Sequence, residues 1–241
     1  MRLPVPALVS ALLLAGPLVV RADVITLNFE GIAPYPNDND VLIENYYDGG
    51  AASNGAIGPN YGVTFSSGAT LLCLNSLTVD CSNTSKGGSG VAGSEFNAMY
   101  FPTTNPYMDV AAGFTTGFSM AYTNPFDESE GINIYSGVDG TGTLLASASL
   151  PGTPDGATAC PGYDANYCPF EDFSVAFSGT AMSIEFTGAA NSSTYDDFTF
   201  GSTTVGGGGG VSASEPGTLA LLGLGLAALG ALGMRRRRAA S

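Results

Sequence analysis

The chain has 241 residues and a formal net charge of −14, with seven Lys and Arg against 21 Asp and Glu and no histidine. From Asp23 to Ser214, Lys86 stands alone against twenty acidic residues, a formal charge of −19. Such a surface repels nucleic acid and anionic membranes, which are bound through Lys and Arg, and the lack of His removes Ser/His/Asp and Cys/His catalysis together with the commonest metal ligand.

Catalysis by paired carboxylates needs no histidine, so a carboxylate-dependent glycosidase is a distant alternative. No acidic pair sits in a recognisable motif, however. The acidic residues therefore read as a solvated face and the chain as a non-enzyme.

The chain opens "MRLPVPALVSALLLAGPLVVRA", with Arg2, an apolar run from Leu8 to Val20, and Val20 and Ala22 at the −3 and −1 positions of a cleavage site before Asp23. This is the layout of a secretory signal peptide over residues 1–22, and the run is short for a membrane span. An uncleaved N-terminal anchor is the alternative.

The next segment, residues 23–204, is long enough for one domain with a substantial core and short for two. Helical periodicity does not persist in it. Short runs of β-branched and aromatic residues recur instead, separated by Gly, Pro, Asn and Asp, which is an all-β signature. In chain order they are VITLNFE (24–30), YGVTFS (61–66), ATLLCL (69–74), NAMYF (97–101), YMDVA (107–111), GFSMAY (117–122), GINIYS (131–136) and LLASASL (144–150). The last two are joined by GVDGTGT, whose Asp139-Gly140 pair supplies the positive φ of a hairpin turn. Phe173, Val175 and Phe177 alternate with polar or small residues, as do Met182, Ile184 and Phe186, and Phe198 and Phe200 close the series. Nine or ten antiparallel strands in one domain predict a two-sheet β-sandwich or jelly roll.

The four cysteines fall as two pairs at eight-residue spacing, Cys73 with Cys81 and Cys160 with Cys168. An even count in an exported chain implies disulfides, with three connectivities open. The turn formers between each pair favour the two local bridges, each worth about 2 to 3 kcal/mol in the loop-entropy account. A zinc site is the rival reading, but eight-residue spacing lacks the close Cys pairs of zinc ligands.

After the domain, the glycine run 206–210 lies in a flexible linker over residues 205–213. Then comes "SEPGTLALLGLGLAALGALGMRRRR". Its apolar part, Leu219 to Met234, is sixteen residues, about 24 Å as a helix, against a hydrocarbon core of about 30 Å. A transmembrane helix at about 218–234 is thus a marginal anchor. Arg235, Arg236, Arg237 and Arg238 mark the cytoplasmic side and leave the acidic body exported.

This tail resembles the PEP-CTERM sorting signal of Gram-negative bacteria that make extracellular polysaccharide. Ser214, Glu215 and Pro216 occupy the motif, with Ser214 standing where that family has its first proline. The resemblance implies recognition by an exosortase-like membrane enzyme, transient anchoring in the inner membrane, and release to the cell surface or extracellular matrix. An ordinary C-terminal anchor is the alternative.

The body also resembles, more loosely, the jelly-roll ectodomains that precede such signals, and through them carbohydrate-binding modules. The residues that carry this are LNFEG (27–31), YGVTFS, VAAGFTTGFSM (110–120), the Asp139-Gly140 hairpin and YDDFTFG (195–201). That resemblance implies first and last strands side by side, which would bring Glu30 and Asp197 together as an oxygen-rich pair for a structural calcium. With no Trp in the chain, a sugar-stacking platform has to come from Tyr, for instance Tyr46, Tyr47, Tyr163 or Tyr167. The expected role is structural or adhesive in association with extracellular polysaccharide, or alternatively that of a carbohydrate-binding module with a defined glycan.

Overall fold

The alternation seen in the sequence becomes eleven strands in the computed structural model, which describes residues 24–37, 41–66, 68–75, 79, 81, 93–154, 159–160 and 167–207. The signal peptide, Lys86, Tyr163 and the sorting tail lie outside the described residues. The strands are β1 (Ile25–Leu27), β2 (Val63–Phe65), β3 (Thr70–Cys73), β4 (Asn97–Tyr100), β5 (Tyr107–Phe114), β6 (Gly117–Thr123), β7 (Glu130–Tyr135), β8 (Leu144–Leu150), β9 (Glu171–Ala176), β10 (Ala181–Thr187) and β11 (Thr194–Phe200).

Every pairing between named strands is antiparallel. One sheet runs β3-β4-β11-β6-β9, with β1 also on β11; the other runs β2-β5-β10-β7-β8. The first and last strands are neighbours, with Leu27 opposite Phe198, as the jelly-roll resemblance implied.

The inward positions of both sheets meet in a layer of aromatic rings. Phe198 is fully buried and lies 5.3 Å from Phe186, 5.5 Å from Phe29 and 5.7 Å from Phe118, centroid to centroid. Phe186 comes from β10 in one sheet and Phe118 from β6 in the other, so these contacts join the two sheets. Burial of such rings is the main stabilising contribution.

β1 is shorter than its alternating sequence predicts because the chain turns at Phe29, whose φ is +57°. The Phe29 N–H leaves the ladder and donates to the Tyr47 hydroxyl at 2.9 Å. At the β7–β8 hairpin, Asp139 and Gly140 both have positive φ, 52° and 67°, and Thr141 N–H donates to the Val138 carbonyl at 3.0 Å. This is the two-residue turn that the Asp-Gly pair predicts.

Both local disulfides form: Cys73 to Cys81 with a Cα–Cα distance of 5.7 Å, and Cys160 to Cys168 with 6.2 Å. The chain leaves β11 through Gly206, whose N–H donates to Thr199 Oγ1 at 3.1 Å, and Gly207, whose N–H donates to the Thr204 carbonyl. The first glycines of the linker are therefore docked on the sandwich, next to the start of the domain.

Candidate functional site

Parity along the strands of the five-stranded sheet decides which side chains face outward. In β7, Ile132 and Ile134 are buried in the core, so Asn133 and Tyr135 face away from it. In β10, Ile184 and Phe186 are buried and Glu185 faces out; in β5, Met108 is buried and Tyr107 faces out. Pairing brings these residues together, since Glu185 lies opposite both Tyr107 and Asn133.

The result is a polar and aromatic cluster on an open sheet face. The Tyr107 hydroxyl donates to Glu185 Oε1 at 3.2 Å, and the Tyr135 hydroxyl and the Asn133 amide donate to Oε2 at 3.2 and 3.0 Å. Partial burial, with the Glu185 charge next in size, raises both phenols above their ordinary range, so they remain protonated donors. Both rings are partly accessible.

At one end of this face the β7–β8 hairpin forms a wall. Asp139 N–H donates to Asp109 Oδ1 at 2.8 Å, and Gly140 N–H donates to Ser183 Oγ at 3.0 Å. Gly140 lies against the Tyr107 ring, where a Cβ would collide with Tyr107 Cε1. At the other end a cleft of about 510 Å³ opens between the start of β7 and the end of β8. Asp127, Glu128, Asn133, Ser147, Ser149 and Thr187 contribute to its lining, and Asn133 belongs to both cleft and cluster.

Beside the cleft, Phe126 is 53 % exposed and meets Tyr167 edge to face at 5.7 Å. Below it, Glu130 is buried and accepts hydrogen bonds from the hydroxyls of Ser192, Ser193 and Tyr195. Burial raises its carboxyl above the usual range, and the three hydroxyls oppose that shift.

The residues expected from sequence fare differently. Tyr46 and Tyr47 are buried in the core, which corrects the expectation that they form a stacking platform. Adjacent aromatic residues in a Gly- and Asn-rich loop have folded inward, and the Tyr47 hydroxyl holds the turn at Phe29. Tyr167 is half-buried against Phe126.

Asp197 lies on β11, whereas Glu30 lies past the end of β1, beyond the turn at Phe29, and already clamps the start of β4. Its Oε1 accepts the N–H groups of Phe96 and Asn97 at 2.8 and 3.0 Å, and its Oε2 accepts the Asn97 amide at 3.0 Å. Asp197 is buried at a φ of +50°, in the irregularity between Asp196 and Thr199. Its neighbour Asp196 is fully buried, accepting Ser94 Oγ and the Asp197 N–H. Burial first, and the Asp197 charge second, raise the Asp196 carboxyl well above the usual range. Among the described residues, no three His, Cys, Asp or Glu side chains are grouped so as to hold a metal ion.

Tyr107, Tyr135, Asn133, Glu185 and Phe126 are not among the residues expected from the sequence, which favours tyrosines of the long loops. The pattern of the first four is present in the sequence: each alternates with core residues, which puts the tyrosines and their polar neighbours on the outward side of the strands.

Among the described residues no helix is long and apolar enough to cross a membrane, and the predicted span at 218–234 lies outside them. No curated protein matches the chain. Of the solved structures, the chain is similar to the K2 cleaved adhesin domain of Lys-gingipain, at 12 % identity over 76 % of this chain and 99 % of that one, with a TM-score of 0.42. It is also similar to a carbohydrate-binding module from Cellvibrio mixtus lichenase 5A solved with cellotriose, at 8 % identity over 57 % and 89 %, with a TM-score of 0.34. A β-1,3-glucan-binding family 6 module from Bacillus halodurans matches at 16 % identity over 48 % and 84 %, with a TM-score of 0.32. At the C-terminus, residues 212–238 match the family model of the PEP-CTERM protein-sorting motif. The chain ends in a PEP-CTERM protein-sorting motif and is an exported protein.

Proposed function

We propose that the exported body binds a polysaccharide along the outer face of the five-stranded sheet and so has an adhesive or structural role in extracellular material. The observation that carries this reading is the Glu185 carboxylate held by Tyr107, Tyr135 and Asn133 on an open face that continues into a polar cleft. A sugar ring presents hydroxyls that donate and accept, and a C–H face that packs on a phenol ring. A carboxylate, an amide and two tyrosines in one patch meet both needs. Catalysis is not part of the proposal, and the acidic groups serve as acceptors and as barriers to anionic polymers.

The sorting motif supports a route to this role. An exosortase-type membrane enzyme acts on the tail, the C-terminal helix anchors the chain transiently in the inner membrane, and the body is released to the surface or matrix of a Gram-negative cell. A structural calcium at Glu30 and Asp197 belongs to the same proposal. The charges of Asp197 and Glu30 both act on the buried Asp196 carboxyl, which a cation would relieve, and backbone and hydroxyl oxygens would have to complete the all-oxygen shell that calcium takes.

Binding is tested with a glycan array followed by titration calorimetry on the hits. Saturable binding is expected, with Glu185→Gln and Tyr135→Ala each weakening it about tenfold or more, a loss near 1.4 kcal/mol. Binding to no glycan, or binding unaffected by both substitutions, would sink the assignment.

A further inference from the structure

Pairing register arranges the outward side chains of the five-stranded sheet in rows. Glu185 stands opposite both Tyr107 and Asn133, and Asn133 stands opposite Ser147, so these four residues form one row across β5, β10, β7 and β8. With neighbouring strands about 4.8 Å apart, the row is about 14 Å long. In the next row Ser183 stands opposite Asp109 and Tyr135, and the β7–β8 hairpin folds over it. Gly140 N–H donates to Ser183 Oγ, which donates to the Gly137 carbonyl at 2.6 Å, and Ser183 is fully buried although it faces outward. The hairpin is thus one bank of a groove that crosses the strands, and the segment ahead of β7, with the cleft, is the other.

Carboxylates mark both banks and the floor. Asp109 and Asp139 meet at the hairpin bank, where Asp139 N–H reaches Asp109 Oδ1 at 2.8 Å and the Asp139 charge bears on both Asp109 and Tyr107. Asp127 and Glu128 line the opposite bank and are exposed. Glu185 stands between the banks, fixed by three donors. Among the described residues there is no Lys, Arg or His to balance any of them. A neutral sugar chain laid here strips water from these carboxylates and leaves their charge uncompensated, which costs free energy. An ammonium group on the chain reverses the sign. Its hydrogen bonds to a carboxylate are charge-assisted, roughly twice as strong as neutral ones, and the phenol rings on either side of Glu185 attract it as well.

We infer that the polymer is an amine-bearing one, a hexosamine chain with free amino groups whose ammonium centres pair with Glu185 and with the carboxylates of the two banks. This rests on the polysaccharide-binding role proposed for the same face. The charge of −19 between Asp23 and Ser214 then draws the polycation in from solution.

The test is titration calorimetry of the exported protein against hexamers of glucosamine, N-acetylglucosamine and glucose, in β-1,4 and β-1,6 linkage. N-acetylation removes the charge and keeps the sugar ring. The glucosamine hexamer of at least one linkage is expected to bind about tenfold or more tighter than its acetylated and neutral counterparts in low salt, and that advantage is expected to shrink at about 0.5 M salt. Glu185→Gln and the exposed Glu128→Gln, each read at an unchanged melting temperature, are expected to cut the preference about threefold or more. Glu95→Gln removes the same charge from an exposed position ahead of β4 in the other sheet and is expected to leave the preference unchanged, which separates a seat in the groove from general attraction to an acidic body. Equal binding of charged and acetylated hexamers, or a preference that Glu95→Gln lowers as much as Glu185→Gln does, overturns the inference. Saturable binding of uncharged or anionic glycans alone overturns it and leaves the polysaccharide-binding role standing, whereas binding to no glycan at all removes both.

Discussion

Replacing Phe198 by alanine tests whether the aromatic layer is what joins the two sheets. The side chain is fully buried, and its ring lies within 6.5 Å of five others: Phe29, Phe65, Phe118, Phe186 and Tyr195. Removing a buried phenyl group costs about 3 to 5 kcal/mol through lost transfer energy and the cavity left behind. Five rings on two sheets cannot all close in on that space, so the loss should fall in the upper half of the range. For a domain of this size each kcal/mol lowers the melting temperature by about 2 to 4 °C, which gives a fall of roughly 10 to 15 °C. Differential scanning calorimetry with the disulfides intact measures it, and Phe126→Ala, which truncates a ring that is 53 % exposed, serves as the comparison. If Phe198→Ala costs less than about 1 kcal/mol, or no more than Phe126→Ala, the aromatic layer does not hold the sandwich together.

The pH dependence of stability follows from Asp196, Glu130 and Asp109, whose folded-state carboxyls are all raised, with burial the first cause. A raised carboxyl favours the protonated native state. Its contribution is fully present below the unfolded value near 4 and is lost as pH rises through the folded value. The body should therefore melt at a higher temperature at pH 5 than at pH 8. Asp196→Asn, which keeps an acceptor for Ser94 and the Asp197 N–H, should narrow that gap, and a melting temperature that rises from pH 5 to pH 8 would contradict the assignment. Gly140→Ala should cost about 1 to 3 kcal/mol, because it sits at a φ of +67° and its Cβ meets the Tyr107 ring; urea unfolding measures this, and the same variant should weaken glycan binding by disturbing Tyr107. Glu30→Gln, which removes the charge from the β4 clamp, should cost about 1 to 3 kcal/mol in the same assay. Calcium at 1 mM is expected to raise the melting temperature of the unsubstituted chain and not that of Glu30→Gln, and no change with calcium or chelator would dismiss the metal.

Much of this protein is legible along the chain because its elements are local and strongly patterned. Alternation in GINIYS and MSIEFT tells which side chains face the core, because successive residues of a strand point to opposite faces. Asp139-Gly140 specifies the hairpin turn through its own φ preferences, and the short Cys spacing pairs each cysteine with its nearest partner. The sorting tail is likewise local, with motif, apolar stretch and arginines in a fixed order, so a family model finds it without any fold.

What the sequence alone could not supply was the order of the strands. Tyr107 and Glu185 are 78 residues apart and meet only because β10 lies between β5 and β7. The same non-local pairing turns Tyr46 and Tyr47 inward, although their loop reads as exposed. It also directs Glu30 to the backbone of β4, 66 residues away. Period-two patterning sets the face each residue occupies but carries no information about which strand lies alongside. That choice belongs to the packing of both sheets against one core, and it alone assembles the candidate binding face.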